Sequence, residues 1–336
     1  MSHMTYAEAM VVGLVQGVTE LFPVSSLGHN VLIPALVGGS WAQDLNVSTP
    51  ESPYLAFIVG LHVATALAMI IYFWRDWLRI VSGLISSVRE RRIATADQRL
   101  AWMIVLATIP VGIAGLALEH LFRVVFSKPI PTAIFLAANG VILLVGERQA
   151  RRARPRLRTA DEPATDVQTA APAVQAAAPA AGQHLAATVA VRAERQQEID
   201  RAVAADGRLA TMTYPQAVLI GSAQIFALLP GISRDGIVTV AGLFRGISRA
   251  DAVRFSFLLS APVILAAGVL KVPDLTGPLG DGVRGQVLAG SVLSFVGAYL
   301  SVRFLTRYFA KERPLTPFGI YCLAAGIGSL IYLLVR

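Results

Sequence analysis

Residues 16–29 read Gln-Gly-Val-Thr-Glu-Leu-Phe-Pro-Val-Ser-Ser-Leu-Gly-His, and they lie in a chain with no Lys or Arg between Met1 and Trp74. Gln16, Glu20, Ser25, Ser26 and His29 are therefore polar or ionisable groups inside an apolar region. Such groups are costly at membrane depth and by default line a cavity with a function. Gln16 and Glu20 stand four apart, which puts both on one face of a helix. Pro23 and Gly28 interrupt that helix, and unwound backbone is tolerated at this depth only where it is buried in protein or faces a cavity. A helix resuming near Ser26 would turn free backbone N–H groups into the cavity, a ready anion site.

A second cluster, Pro230-Gly-Ile-Ser-Arg-Asp-Gly236, supplies Ser233, Arg234 and Asp235. Pro23 to Ser26 and Pro230 to Ser233 have equal spacing, so Ser26 and Ser233 are expected to be pseudo-symmetric partners. The fork of Arg234 suits phosphate. A carboxylate, a hydroxyl, an imidazole, a guanidinium and two helix N-termini around one cavity fit a phosphorylated ligand. In this reading Arg234 holds the anion, with Gln16, Ser25, Ser233 and Asp235 around it. Glu20 either binds a divalent cation or orients His29, and either Ser26 or His29 attacks phosphorus. Ser25 alone is the simplest helix cap. His62 is read as a packing residue, and Gly13, Gly17, Gly112 and Gly115 as sites of close helix contact.

The elements that must hold these residues follow from hydropathy. The chain has 336 residues, 55% hydrophobic and 15% charged, against about 25% charged in soluble domains. That composition indicates an all-α polytopic membrane protein. Segments 5–22 and 29–37 are each too short to cross, since spanning takes about 20 apolar residues. They read as a re-entrant hairpin over 5–37, followed by spans at 53–74, 100–122 and 129–147. A second broken hairpin over 214–244 precedes spans at 251–271, 284–304 and 315–335. The expected domains are a first repeat (1–148), a disordered linker (149–210) and a second repeat (211–336). The linker's 159–190 stretch of Ala, Pro, Thr and Gln cannot bury enough apolar surface to order itself, though 190–206 has the pattern of a short polar helix. Residues 76–92 form an amphipathic interfacial pattern with Trp74 and Trp77 as boundary anchors.

The net charge of +8 sits in short basic clusters between apolar runs. That is a topology signal and gives no support to a nucleic-acid partner. With Arg75–Arg99, Arg148–Arg158, Arg245–Arg254 and Arg303–Arg313 in the cytoplasm, every span is assigned consistently. The termini then lie outside, the linker lies inside, and the two halves are inverted. Inverted repeats with paired broken helices put the site near the midplane. Cys322 is the only cysteine, so no internal disulfide forms. The N-terminus lacks the basic region of a cleavable signal peptide.

At these residues the chain resembles the undecaprenyl-diphosphate phosphatase family of bacterial membrane proteins, the bacitracin-resistance type. The first motif is matched by Gln16, Glu20, Pro23, Ser25, Ser26, Gly28 and His29. The second is matched by Pro230, Gly231, Ser233, Arg234, Gly236 and Thr239. Leu61-His62 and Phe255–Pro262 also look like family stretches. The resemblance implies an integral membrane phosphatase of the bacterial cytoplasmic membrane. Such an enzyme hydrolyses undecaprenyl diphosphate, a polyprenyl diphosphate lipid, to recycle the cell-wall carrier, and opens to the extracytoplasmic side. It further implies a divalent cation, Mg²⁺ or Ca²⁺, with Glu20 as its candidate ligand, and catalytic roles for Glu20, Ser26, His29 and Arg234. Three positions depart from the pattern: Gln16 replaces a commoner glutamate, Leu27 a threonine and Asp235 a serine. Asp235 would either pair with Arg234 or restore the carboxylate missing at 16. Two other readings stay open, a polyprenyl phosphate transporter or flippase and an inactive relative that only binds. A homodimer is also open.

Overall fold

A computed structural model describes residues 4–45, 53–121, 128–158, 192, 196–197, 199–276 and 282–335. In it α1 (Tyr6–Leu21) and α2 (Ser26–Val37) form the first broken hairpin, and a short α3 (Gly39–Asp44) follows. Then come α4 (Pro53–Tyr72), α5 (Trp74–Glu90), α6 (Ala96–Leu121) and α7 (Pro129–Arg158). The second hairpin is α8 (Tyr214–Ser222), a 3₁₀ turn (Ala223–Leu228) and α9 (Arg234–Phe244); α10 (Arg249–Thr276), α11 (Arg284–Ala310) and α12 (Thr316–Val335) complete the chain. No strand occurs among the described residues.

The protein is an all-helical polytopic membrane protein. Five helices, α6, α7, α10, α11 and α12, contain stretches of 20–27 residues long and apolar enough to cross a bilayer. The 20 residues of α4 are also about 30 Å long, the thickness of the hydrocarbon core. At Phe73 the chain turns by 86° into α5. There Leu78, Val81, Ile85 and Val88 expose an apolar stripe while Ile80, Gly83 and Ser87 are buried. Apolar side chains offered outward at this spacing are the pattern of an amphipathic helix. Trp74 is exposed as an interfacial anchor should be, with Arg75 stacked 5.2 Å from its ring centre. Trp77 turns inward against the core instead.

The core forms where the two halves meet. The first half's α1 and α4 pack on α11, α4 also packs on α10, and α7 pairs with α12; α6 in turn packs on α8. Gly13 and Gly17 let α1 approach α11, because a Cβ at either would run into the backbone of Gly290 or Ser294. Gly112 and Gly115 have open space at the same test, so the expected close packing there is corrected: these two face away from neighbouring helices. The supposed linker is helical at its described ends, as α7 continues to Arg158 and residues 199–209 are helical. Asp206 from that segment binds Arg79 of α5 (2.8 Å) and Arg254 of α10 (2.8 and 2.9 Å). Residues 159–191 lie outside the described part.

Candidate active site

Each hairpin starts with the same device. Thr5 caps α1 in a capping box with Glu8, and Thr213 caps α8 in a box with Gln216. Each box closes two otherwise orphaned N–H groups. Ser25 caps α2 by accepting from Gly28 N (3.2 Å), and Ser233 caps α9 by accepting from Gly236 N (3.1 Å). The caps set a constant offset of 208 residues (5 to 213, 25 to 233), which also pairs Tyr6 with Tyr214, Gly13 with Gly221 and Gln16 with Gln224. The expected pairing of Ser26 with Ser233 is therefore corrected by one position. Ser25 matches Ser233, and Ser26 matches Arg234, because helical geometry restarts after the cap and not at a fixed distance from proline.

The two tips are clasped together. Ser25 Oγ, held by a residue at φ 69, also accepts from Gly231 N–H at 3.1 Å. Asn139 of α7, fully buried, donates from Nδ2 to Pro23 O (3.0 Å) and accepts at Oδ1 from Ser233 N–H (3.0 Å). A single amide so satisfies both tips. Gly231 has φ 112, and a Cβ there would stand 2.6 Å from Leu136 N and Thr132 O. Only glycine fits both constraints.

Ser26 and Arg234, the first residues of α2 and α9, converge on Glu20. Ser26 Oγ donates to Glu20 Oε2, and Arg234 Nη2 donates to Oε1 at 3.3 Å. Gln16 Nε2 donates to Oε2 at 2.9 Å and in turn accepts from Asn30 Nδ2 at 2.6 Å. His62, expected from sequence to be a packing residue, instead faces Glu20. Its Nε2 lies 3.4 Å from Glu20 Oε2 and its Nδ1 lies 2.8 Å from Ile58 O. Both ring nitrogens face acceptors, an arrangement that the doubly protonated ring fills with two donated bonds. Its Leu61-His62 context in an otherwise apolar span was the available signal.

His29 is turned elsewhere. Its Nδ1 donates to Ser25 O (2.7 Å), which leaves Nε2 to accept from Tyr321 Oη at 2.8 Å. The structure does not join His29 to Glu20 or Ser26 by any described hydrogen bond. Nor does Asp235 take either expected role: it forms no described ion pair with Arg234. Its Oδ1 accepts from Ser256 (2.7 Å) and Ser260 (2.6 Å) of α10, which pins the first turn of α9. Ser233 and Ser25 serve as caps and clasps.

What stays open is cationic and N–H-rich. Arg234 Nη1 is buried with no partner. The N–H groups of Ser26, Leu27, Arg234 and Asp235 have no described partner either, as expected for the first turn of a helix. An anion between the two half-helices would meet a free guanidinium nitrogen and two positive helix ends.

The family model described as Bacitracin resistance protein BacA matches residues 9–328. The chain belongs to the BacA family. It is similar to a protein named Undecaprenyl-diphosphatase from Mycolicibacterium paratuberculosis, with 59% identity over 335 residues, covering 100% of this chain and 99% of the relative. It is also similar to Undecaprenyl-diphosphatase 1 from Frankia casuarinae, at 51% identity and 97% of each chain. Undecaprenyl-diphosphatase 2 from Chromobacterium violaceum is 35% identical over 99% of this chain and 100% of its own length. The BacA family match therefore takes in both hairpin tips and the whole of the Glu20–Arg234 cluster.

As a resident metal centre the cluster fits poorly. Among the described residues no three His, Cys, Asp or Glu side chains form a metal-binding group. The lone carboxylate is already shared by His62 and by Arg234, whose fixed charge repels a cation.

Proposed function

We propose that this BacA-family protein is an integral membrane undecaprenyl-diphosphatase that releases inorganic phosphate from a polyprenyl diphosphate lipid. The observation that carries the reading is the unpartnered Arg234 Nη1, buried beside the Ser26–Glu20 pair at two facing helix N-termini. The terminal phosphate is held by Arg234 and the first-turn N–H groups. The prenyl chain stays in lipid.

Ser26 is the nucleophile and Glu20 its base, because the hydroxyl already donates to the carboxylate in the geometry an activated nucleophile needs. Attack forms a bond from Ser26 Oγ to the terminal phosphorus, and the bond from that phosphorus to the bridging oxygen breaks. The electron pair leaves with the prenyl monophosphate, a stable anion that asks for little protonation. The Ser26 proton passes to Glu20. That proton is released from Glu20 to solvent as the prenyl phosphate departs. Water then attacks the phosphorus of the phosphoseryl ester and gives a proton to Glu20, which passes it to Ser26 Oγ as the P–O bond to serine breaks, so phosphate is freed and the Ser26 hydroxyl restored. His62 orients Glu20 and stabilises its charge; His29, held by Ser25 and Tyr321, positions the tip. A divalent cation would enter with the substrate and offset the charge of the diphosphate, because Glu20 is already engaged by Arg234 and His62.

The fold reading extends to an inverted repeat. Its supports are the 208-residue offset and the exchange of partners, in which α1 packs on α11 as α8 packs on α6. The basic clusters favour a cytoplasmic linker and extracytoplasmic termini, with the site opening to the outer face. Purified protein in detergent with farnesyl diphosphate and Mg²⁺ tests the activity. Phosphate release that falls by about 10²-fold or more in Ser26→Ala and Glu20→Gln, with both variants folded, is expected; full turnover by Ser26→Ala would refute the nucleophile assignment.

A further inference from the structure

Away from the Glu20 cluster, α11 carries two parallel stripes at the end where it turns into α12. Leu300, Phe304 and Tyr308 form one, and Arg303, Arg307 and Lys311 the other, each at four-residue spacing. Arg313, from the turn that follows, closes the end, with its guanidinium 5.4 Å from the centre of the Tyr308 ring. Together they line a groove of about 330 Å³ with no carboxylate among its lining side chains. Tyr308 is fixed in place by its own bond to Pro314 O, 3.0 Å. The basic residues would serve a topology signal equally well if they pointed in any direction. Here four of them surround one aromatic-walled cavity, which a topology signal does not require.

The groove is graded along its length, which is roughly 16 Å from Leu300 to Lys311. Leu300 is 59% exposed at the apolar end, where it has only lipid chains to meet. Lys311 and Arg313 stand at the other end, just past the last residue of α11. We infer that this groove binds a membrane amphiphile whose anionic head carries phosphate, with its chain along Leu300 and Phe304. Basic pockets of this kind on the cytoplasmic side of helical bundles suit anionic head groups. Phe304 also stacks on Phe22, ring centres 5.8 Å apart, one residue before the Pro23 break. A bound chain therefore touches the wall that supports the first hairpin tip. The inference rests on the groove alone and stands whatever the reaction at Glu20.

Two sources share this chemistry, an anionic glycerophospholipid and a prenyl monophosphate. The test is native mass spectrometry of the full chain in detergent with phosphatidylglycerol, with phosphatidylcholine of the same chains, and with farnesyl phosphate. Wild-type protein should retain phosphatidylglycerol or farnesyl phosphate at least tenfold better than Arg307→Gln/Lys311→Gln, and phosphatidylcholine equally in both. The better-retained anion identifies the source. Equal retention of the anionic lipids by wild type and variant would overturn the inference, and so would equal retention of phosphatidylcholine and the anions. A photoreactive phosphatidylglycerol on wild-type protein removes any dependence on variant folding. Labelling should concentrate in residues 300–313, and labelling spread evenly over the basic loops would also sink the groove.

Discussion

Glu20 has four neighbours on two oxygens, and that crowding decides what each can do. Gln16 supports it as a donor, a role a second carboxylate could not fill without protonation, so the amide suits a site already centred on one acid. Removing the base or nucleophile should be severe: Glu20→Gln and Ser26→Ala are each expected to lower kcat by about 10²–10⁴-fold, the usual range for such groups. His62→Gln is expected to act differently. It keeps one donor toward Glu20 but cannot lose a proton, so the fall in rate toward high pH expected of the wild type should be absent from its pH–rate profile. An unchanged alkaline limb would count against His62 as a protonated partner. At this scale the cation is tested too. Calorimetric titration of Mg²⁺ into substrate-free protein should give only weak binding, because Arg234 and His62 compete for the same carboxylate, and binding should tighten with a non-hydrolysable diphosphate present.

Elements, not single side chains, hold the reactive pair in register. Both half-helices restart on a serine cap, and a cap contributes about 1 kcal/mol. That is too little by itself to hold two unwound tips at depth. Asn139 adds the decisive bonds, one to each tip, and Cys322 Sγ lies 3.3 Å from the same amide. Asn139→Leu leaves Ser233 N–H buried without a partner and Pro23 O with only the weak Cys322 Sγ bond at 3.8 Å, where an unmet group costs about 1–3 kcal/mol. We expect a lower melting temperature in detergent together with a loss of kcat, because Ser26 and Arg234 would no longer meet at Glu20. Gly231→Ala should be worse for stability, since its φ and the 2.6 Å approach to Leu136 N and Thr132 O both forbid a methyl group. Thermal unfolding followed by fluorescence ranks the two variants directly.

Over the whole molecule, the two halves differ in what they contribute. Leu228 stands at the place that matches Glu20, and Ser26 at the place that matches Arg234, so acid and hydroxyl come from one half and the guanidinium from the other. The site exists only while the halves stay docked. At the basic end they are locked by Glu147, which accepts from Arg249 (3.0 Å to both oxygens), Arg151 (2.9 Å) and Leu315 N–H (3.0 Å). Arg249 also donates to Glu312 O at 2.7 Å. Breaking a buried pair from one side costs about 3–5 kcal/mol, so Glu147→Ala should strongly lower the melting temperature without touching any group near Glu20. Orientation is checked with single cysteines in a Cys322→Ala background. Ser40→Cys should react with an impermeant maleimide from outside intact cells, whereas Arg92→Cys should react only in inverted vesicles.

The sequence by itself determined the membrane class, both helix breaks and the chemistry of their residues. A proline, a serine and a charge inside an apolar run leave few physical solutions, and hydropathy reads spans of 20 residues well. It also carried the 208-residue repeat, in the shared Thr-Tyr of residues 5–6 and 213–214, but two nearby prolines pointed to a register one residue off. Only the tertiary structure decided which serine caps and which donates to Glu20, that His62 and not His29 reaches the carboxylate, and that Asp235 turns to Ser256 and Ser260. These are contacts between residues 21 to 42 positions apart, or choices of direction at a break. Side-chain direction there depends on a single φ at Ser25 and on one amide at Asn139, and neither leaves a periodic trace in the chain.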